Sequence, residues 1–169
     1  MGVTVHFEGQ LKGEKEYKSL ISFAEQFAIQ NQLSVTTIEE HEVRLLRVKN
    51  EADWDYIGPV RGRKLILHAN SDPLKLEFDK DLYIQEYVKT QFAPITVHLQ
   101  LIEFLRSISK FFKSLTVDDE AEYWETNDSG KLRTHFQNCF QIIEETKAKN
   151  PALSGPVRNE DGRIIDLTS

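Results

Sequence analysis

The order of apolar and polar positions in the first third of the chain predicts a strand, a helix and a second strand. Val3, Val5 and Phe7 alternate with polar residues, and a period of two is typical of a half-buried strand. Over residues 14–31 the apolar positions recur at spacings of three and four, as on the inner face of an amphipathic helix. Residues 35–48 are rich in β-branched side chains and predict a long strand.

The next part of the chain predicts a loop and then two short strands. Residues 50–62 are polar and contain two glycines and a proline, which favours a loop. Residues 63–69 and 74–78 read as strands, and the polar segment between them has the composition of a hairpin loop.

The second half predicts two further helices with a strand between them. Pro94 is suited to begin a helix over residues 94–112, because the first turn of a helix tolerates a missing N–H. Leu115 and Val117 indicate a strand. Asp128 can cap the last helix, which Pro151 follows.

These elements follow the order β-α-β-β-β-α-β-α and predict an α+β fold. The expected architecture is a single domain, with a mixed or antiparallel sheet of about five strands and two to three helices packed on it. We place this domain at residues 1–150 and a C-terminal extension at residues 151–169, where the turn composition of residues 159–162 favours a β-hairpin packed on the domain. The helical spacings predict that the core includes Leu20, Phe27, Leu101, Leu105, Phe136 and Phe140.

Composition narrows the class of protein. The chain has 169 residues, of which 40% are hydrophobic and 28% charged, as in an ordinary globular domain. The single cysteine, Cys139, excludes an intramolecular disulfide. The sequence contains no apolar run of membrane-spanning length and no secretory signal, so we expect a cytoplasmic protein with no membrane partner.

The net charge of −6 argues against a nucleic-acid partner, which would require an excess of Lys and Arg. All of this charge corresponds to residues 115–130, here called the acidic segment, which contains no Lys or Arg. Its carboxylates are Asp118, Asp119, Glu120, Glu122, Glu125 and Asp128, with Tyr123 and Trp124 among them. The segment has three interpretations: a solvated loop or edge strand, a surface for a basic partner, or a carboxylate site for a cation or for catalysis.

Known catalytic patterns give no assignment. The sequence has no G-x-S-x-G elbow, no phosphate-binding glycine loop and no histidine pair at metal-binding spacing, so we predict no catalytic residue, cofactor or metal ligand. Cys139 lies on the apolar stripe of the last helix and is expected to be a buried structural residue. A second group in which acidic and aromatic residues alternate is Asp53-Trp54-Asp55-Tyr56.

Two hypotheses of function remain. The first, which we favour, is a non-catalytic interaction module, comparable to inhibitor and immunity proteins, that recognises a basic protein partner. Its predicted binding residues are Asp118, Asp119, Glu120, Glu122, Tyr123, Trp124, Glu125, Trp54 and Tyr56. The alternative is a small-molecule-binding domain or an enzyme, with a pocket of carboxylates and His68 beside Trp54 and Tyr56.

Overall fold

The strands of the protein form three small antiparallel sheets. The computed structural model describes residues 2–49 and 52–169, except for the side chains of residues 48, 49 and 52–54. Four helices and eight strands lie in this part of the chain, and the predicted single-domain α+β fold is confirmed. The sheet orders are β5-β1-β6, β2-β3-β4 and β7-β8.

The elements follow one another with few long connections. The strands are β1 (Thr4–Leu11), β2 (Ser34–Lys49), β3 (Ala52–Ile66), β4 (Leu74–Phe78), β5 (Tyr83–Lys89), β6 (Phe112–Asp119), β7 (Val157–Arg158) and β8 (Ile164–Ile165). The helices are α1 (Glu14–Gln30), α2 (Ile95–Ile108), α3 (Tyr123–Thr126) and α4 (Ser129–Lys149). A short 3₁₀ turn at Ser109–Phe111 joins α2 to β6.

The first sheet has one apolar face and one polar face. In its central strand β1, Val5 and Phe7 are buried, whereas His6 between them is exposed. Residues directly opposite one another on paired strands share a face, so His6 lies on the outer face with Tyr87 of β5 and Asp118 of β6. The alternation of Val3, Val5 and Phe7 in the sequence therefore predicts the two faces of β1.

The predicted loop at residues 50–62 is wrong, because residues 52–66 form the continuous strand β3. Local composition favours a loop there, but β3 pairs with the preceding strand β2 from Lys49↔Ala52 to Ser34↔Ile66, and this continuous antiparallel pairing outweighs the composition. Gly62 contributes to packing in this strand, since a Cβ at that position would lie 1.6 Å from the carbonyl oxygen of Leu76 in β4.

The C-terminal tail folds into a small hairpin, β7–β8, and a bridge between Ser154 and Thr168 closes its base. The hairpin lies against the loop between β3 and β4, where Arg158 donates hydrogen bonds to the carbonyl oxygens of Ala69 and Ser71. The domain boundary at residue 150 stays a prediction.

Helices α1 and α2 cover the apolar faces of the strands, and α4 closes a second, smaller core cluster. Asp128 caps α4 as predicted, accepting hydrogen bonds from the N–H groups of Gly130 and Lys131. Leu20, Leu101, Leu105 and Phe136 are buried, and Phe27 is half-buried. The prediction for Phe140 is wrong: it is 44% exposed, and its ring contacts that of Phe92. The buried face of α4 contains the preceding residue, Cys139, and Phe140 lies beside this face.

Two phenylalanines of α4 test this assignment of the second core cluster. We expect Phe136→Ala to lower the free energy of unfolding by about 3–5 kcal/mol, since Phe136 is only 5% exposed. Phe140→Ala on the same helix should cost about 1 kcal/mol or less. Urea unfolding measures both, and equal losses for the two variants would contradict the orientation of α4.

Candidate functional site

The acidic segment is divided between the surface and the interior. Asp118 is exposed at the end of β6, while the next residue, Asp119, is 3% exposed and points inward. The Asp119 carboxylate accepts hydrogen bonds from the N–H groups of Ala121, Tyr123 and Trp124, at 2.9–3.0 Å. Asp119 therefore organises the turn into α3 and offers no carboxylate to a partner.

Behind Asp119 lies a buried chain of polar side chains. His98 of α2 places its Nε2 3.1 Å from the Asp119 carboxylate and its Nδ1 2.7 Å from the Thr90 hydroxyl. Burial opposes the charged form of Asp119, but its hydrogen bonds to His98 and to the backbone prevail and hold the pKa of this carboxyl below its usual value. The hydroxyl, imidazole and carboxylate follow one another in the order of a hydrolase triad. Thr90 and His98 are 0% exposed and cannot contact a substrate, so this row of hydrogen-bonded side chains has a structural role.

Two other carboxylates of the acidic segment also have structural partners. Glu122 pairs with His135 of α4 at 2.8 Å, and this hydrogen bond lowers the pKa of Glu122. Asp128 caps α4. Glu120 is half-buried and Glu125 is exposed, which leaves few of the predicted carboxylates available as an acidic face.

The two aromatic residues of the segment cover the core. Tyr123 and Trp124 are half-buried and pack against the main core cluster. The Arg106 guanidinium of α2 lies 5.5 Å from the ring centre of Tyr123 and 5.7 Å from that of Trp124, and it donates to the Trp124 carbonyl oxygen at 3.3 Å. These contacts favour a structural role for Trp124 over that of an exposed anchor.

The second predicted aromatic pair is also internal where it is described. Tyr56 is 7% exposed, and its hydroxyl donates to the Pro59 carbonyl oxygen at 2.7 Å. Above its ring lies the guanidinium of Arg47, which forms a buried ion pair with Asp79 at 2.7 Å. The side chain of Trp54 lies outside the described residues.

A cleft of about 720 Å³ opens between the outer face of the first sheet and the distal part of β2. The sheet contributes two rows of cross-strand neighbours, and four consecutive residues of β2 line the opposite side. The rows are His6, Tyr87 and Asp118, and Glu8, Gln85 and Thr116; the β2 residues are Arg44, Leu45, Leu46 and Arg47. Sequence reasoning places Asp118 in a site but misses this cleft, because its walls come from distant strands.

Carboxyl groups outnumber cations by one in the lining of the cleft. Glu8, Glu77, Glu86, Asp118 and Asp161 line it, against the cations Arg44, Arg47, Lys75 and Arg163. Two of the cations already pair with carboxylates outside the lining, Arg44 with Asp55 and Arg47 with Asp79. The lining residues together with Asp55 and Asp79 therefore carry a net negative charge. Apart from Asp118 and Thr116, the lining residues come from parts of the sequence in which acidic and basic residues are nearly equal in number.

Glu86 is the most perturbed carboxyl of the cleft. Its side chain is 10% exposed, and it accepts a hydrogen bond from Arg163 at 2.6 Å. Burial raises the pKa of Glu86 to about 7, and the nearby charge of Glu77 adds to the shift, while Arg163 opposes it. This carboxyl therefore exchanges its proton near neutral pH inside a cleft, a property common at functional sites.

The remaining sequence candidates contribute little to this site. Burial raises the pKa of the Cys139 thiol, which disfavours a reactive thiolate. His68 lies in the loop after β3, away from the lining of the cleft. Within residues 2–49 and 52–169, no group of three or more His, Cys, Asp or Glu is placed to hold a metal ion.

No helix in the described part of the chain is long and apolar enough to span a membrane. Comparison of the chain with protein-family models, with curated proteins and with solved structures gives no match.

Two adjacent aspartates test the division of the acidic segment. Asp119→Ala removes the acceptor of three N–H groups and leaves His98 without its carboxylate, so we expect a loss of about 3–5 kcal/mol in the free energy of unfolding. Asp118→Ala, at an exposed position, should change it by about 0.5 kcal/mol or less. Chemical unfolding measures both variants, and a small loss for Asp119→Ala would contradict its structural role.

The pKa of Glu86 predicts a pH dependence of stability. Because its pKa rises from 4.5 to about 7 on folding, the folded protein binds more protons than the unfolded chain between these values. The free energy of unfolding should therefore fall as pH rises from 5 to 8, with a contribution from Glu86 of up to about 3 kcal/mol. Glu86→Gln should lack this contribution.

Unfolding at pH 5 and pH 8 measures the difference between wild type and Glu86→Gln. Glu144→Gln serves as the matched control, because the Glu144 side chain is 72% exposed on α4. Parallel pH profiles for wild type and Glu86→Gln would contradict the prediction.

Proposed function

We propose that the protein is a non-catalytic interaction module that binds a basic, extended segment of a partner protein in the cleft. The proposal keeps the basic partner expected from the sequence and moves the contact surface from the acidic segment to the cleft. Asp118 belongs to both surfaces. The observation that carries the proposal is the pair of cleft carboxylates Glu77 and Asp118, which have no Lys or Arg within ion-pair distance among the described residues. A third, Glu8, also lacks a cation there but accepts hydrogen bonds from Tyr83 and Gln85.

These carboxylates favour a cationic ligand for a physical reason. Like charges held together in a cleft repel one another, and a Lys or Arg side chain that enters relieves the repulsion as it forms new pairs. Tyr87, which is 42% exposed, and His6 beside it offer ring surface to the aliphatic stem of such a side chain. Charge complementarity of this kind supplies association rate and specificity.

The edge of β2 favours an extended conformation of the bound segment. β2 is the outer strand of its sheet, so one side of its backbone has no strand neighbour among the described residues. Residues 44–47 all line the cleft although successive side chains point to opposite faces, which means that the strand presents its edge there. An extended peptide can pair with such an edge while its alternate side chains reach the carboxylates.

The alternative function is an enzyme or small-molecule-binding domain that uses the same cleft. It is favoured by Glu86, because a carboxyl with a pKa of about 7 can act as a general acid or base. Arg163 already pairs with this carboxyl, and the open cleft exposes several other charged groups, so we favour the binding function. A small molecule that binds the cleft while the basic peptide does not would favour the alternative.

Peptide binding tests the proposed function. A fluorescently labelled ten-residue peptide that alternates Lys or Arg with Val should bind the wild type, and an acidic peptide of the same length should not. The double variant Glu77→Lys/Asp118→Lys should weaken binding about tenfold or more, because two attractive pairs become repulsive. Fluorescence anisotropy at two salt concentrations measures the affinities, and binding should weaken as salt rises.

Two charge reversals elsewhere serve as controls. Glu144→Lys lies on α4, outside the cleft, and should leave peptide binding unchanged. Glu125→Lys reverses an exposed carboxylate of the acidic segment that does not line the cleft. If Glu125→Lys weakens binding and the cleft variant does not, the acidic segment is the contact surface and the cleft assignment is wrong.

A further inference from the structure

One arginine of the C-terminal hairpin lies in a set of acceptors that belong to the body of the protein. The Arg163 side chain is 13% exposed. Its Nη2 donates to Glu86 Oε2 at 2.6 Å, and its Nη1 donates to the Tyr87 carbonyl oxygen at 2.7 Å. The guanidinium carbon lies 3.9 Å from the ring centre of Tyr87. Two hydrogen-bond acceptors and an aromatic face thus surround one planar cation.

A second buried carboxylate supports this arrangement. Asp72, in the loop between β3 and β4, is 1% exposed and lies 3.7 Å from Arg163 Nη1. Its oxygens accept the N–H group of Lys89 in β5 and that of Ile164 in the hairpin, so Asp72 is anchored to the body of the protein and also holds the hairpin. Burial raises the pKa of Asp72 against the effect of these hydrogen bonds and of the nearby cations.

The element that supplies Arg163 is small and weakly buried. Each strand of the β7–β8 hairpin has two residues. Ile164 is buried, whereas Val157, Arg158 and Ile165 are exposed. Polar contacts provide much of its attachment, including the ion pair of Lys89 with Asp166 at 2.6 Å. Elements with few buried apolar contacts open at low free energy.

We propose that Glu86, Tyr87 and Asp72 form a guanidinium-binding site that Arg163 fills in the free protein and that an arginine of the partner fills in the complex. Glu86, Tyr87 and Arg163 also line the cleft, so the site is continuous with it. The part of the inference that concerns the partner rests on the proposed function. The part that concerns the site depends only on the contacts of Arg163.

The geometry selects a guanidinium over an ammonium. The Glu86 carboxylate oxygen and the Tyr87 carbonyl oxygen accept hydrogen bonds from two different nitrogens of one planar guanidinium. The same plane lies against the Tyr87 ring, a contact that a compact, strongly hydrated ammonium makes less well. An arginine of the partner therefore fits this site, and lysines fit the unpaired carboxylates elsewhere in the cleft.

Chemical rescue tests the site itself. Arg163→Ala vacates the acceptors, and ethylguanidinium at millimolar concentration should then raise the melting temperature of the variant by several degrees, while ethylammonium should not. Arg158→Ala is the matched control, because Arg158 lies in the same hairpin and donates to carbonyl oxygens alone. Equal effects of the two cations, or equal rescue of the two variants, would overturn the site.

Arg163→Lys keeps the charge and provides a second readout that does not depend on the stability of the alanine variant. Its melting temperature should lie well below that of the wild type, since lysine cannot make both hydrogen bonds and the ring contact together. A melting temperature equal to that of the wild type would show that the site requires only a positive charge.

Peptide affinities test the entry of a partner's arginine. Two peptides of identical length, one with arginines and the other with lysines at the same positions, are titrated into wild type and Arg163→Ala. Removal of the internal competitor should strengthen binding of the arginine peptide about fivefold more than that of the lysine peptide. An unchanged ratio of the two affinities would overturn this entry.

Failure of the proposed function gives a different result from failure of this inference. If neither peptide binds the wild type or Arg163→Ala, the proposed function is wrong and the partner part of the inference falls with it. Rescue by ethylguanidinium then still decides whether the guanidinium site exists.

Discussion

Buried carboxylates that must be fully hydrogen-bonded determine how the parts of this fold are joined. Asp72, Asp79 and Asp119 are each 1–3% exposed, and an unpaired charge at such positions would be costly. Each accepts two or three backbone N–H groups, mostly across a turn or from a separate segment. Each also has a cationic or imidazole neighbour: Arg163 for Asp72, Arg47 for Asp79 and His98 for Asp119. The loops of the protein are therefore fixed by charge as much as by apolar contact.

The same constraint separates buried, fully hydrogen-bonded acids from exposed ones, and a count of charges along the sequence does not make this distinction. Asp118 and Asp119 are neighbouring residues of the same type, but the alternation of side chains along β6 exposes Asp118 and buries Asp119. The first strand and the three long helices could be predicted, because their apolar periods reflect burial directly. Strand β3 could not, because the glycines, proline and polar residues of its first part favour a loop, and strand β5 carries charged residues that hide its alternation.

The cleft could be predicted even less, because its residues come from distant strands. No pattern in the sequence connects Glu8, Glu77 and Asp118, which lie on β1, β4 and β6. Only the packing of these strands brings the three residues to one cleft. A charge count along the chain finds only the acidic segment, where several carboxylates satisfy the backbone or a histidine. The cleft instead brings together Glu77 and Asp118, which have no Lys or Arg within ion-pair distance among the described residues.

Glu86 connects the cleft to the attachment of the C-terminal hairpin. Its carboxylate lines the cleft and also accepts a hydrogen bond from Arg163 at Oε2, so a cation that pairs with this oxygen from the cleft must compete with the hairpin. Coupling between the two occupants is reciprocal: release of the hairpin strengthens binding of the cation, and binding of the cation weakens attachment of the hairpin by the same factor. Protonation of Glu86 removes the charge that both need, and its pKa of about 7 places this change near neutral pH. In the proposed complex, binding of the partner and release of the hairpin are therefore coupled, and proton uptake by Glu86 opposes both the attached hairpin and the bound cation.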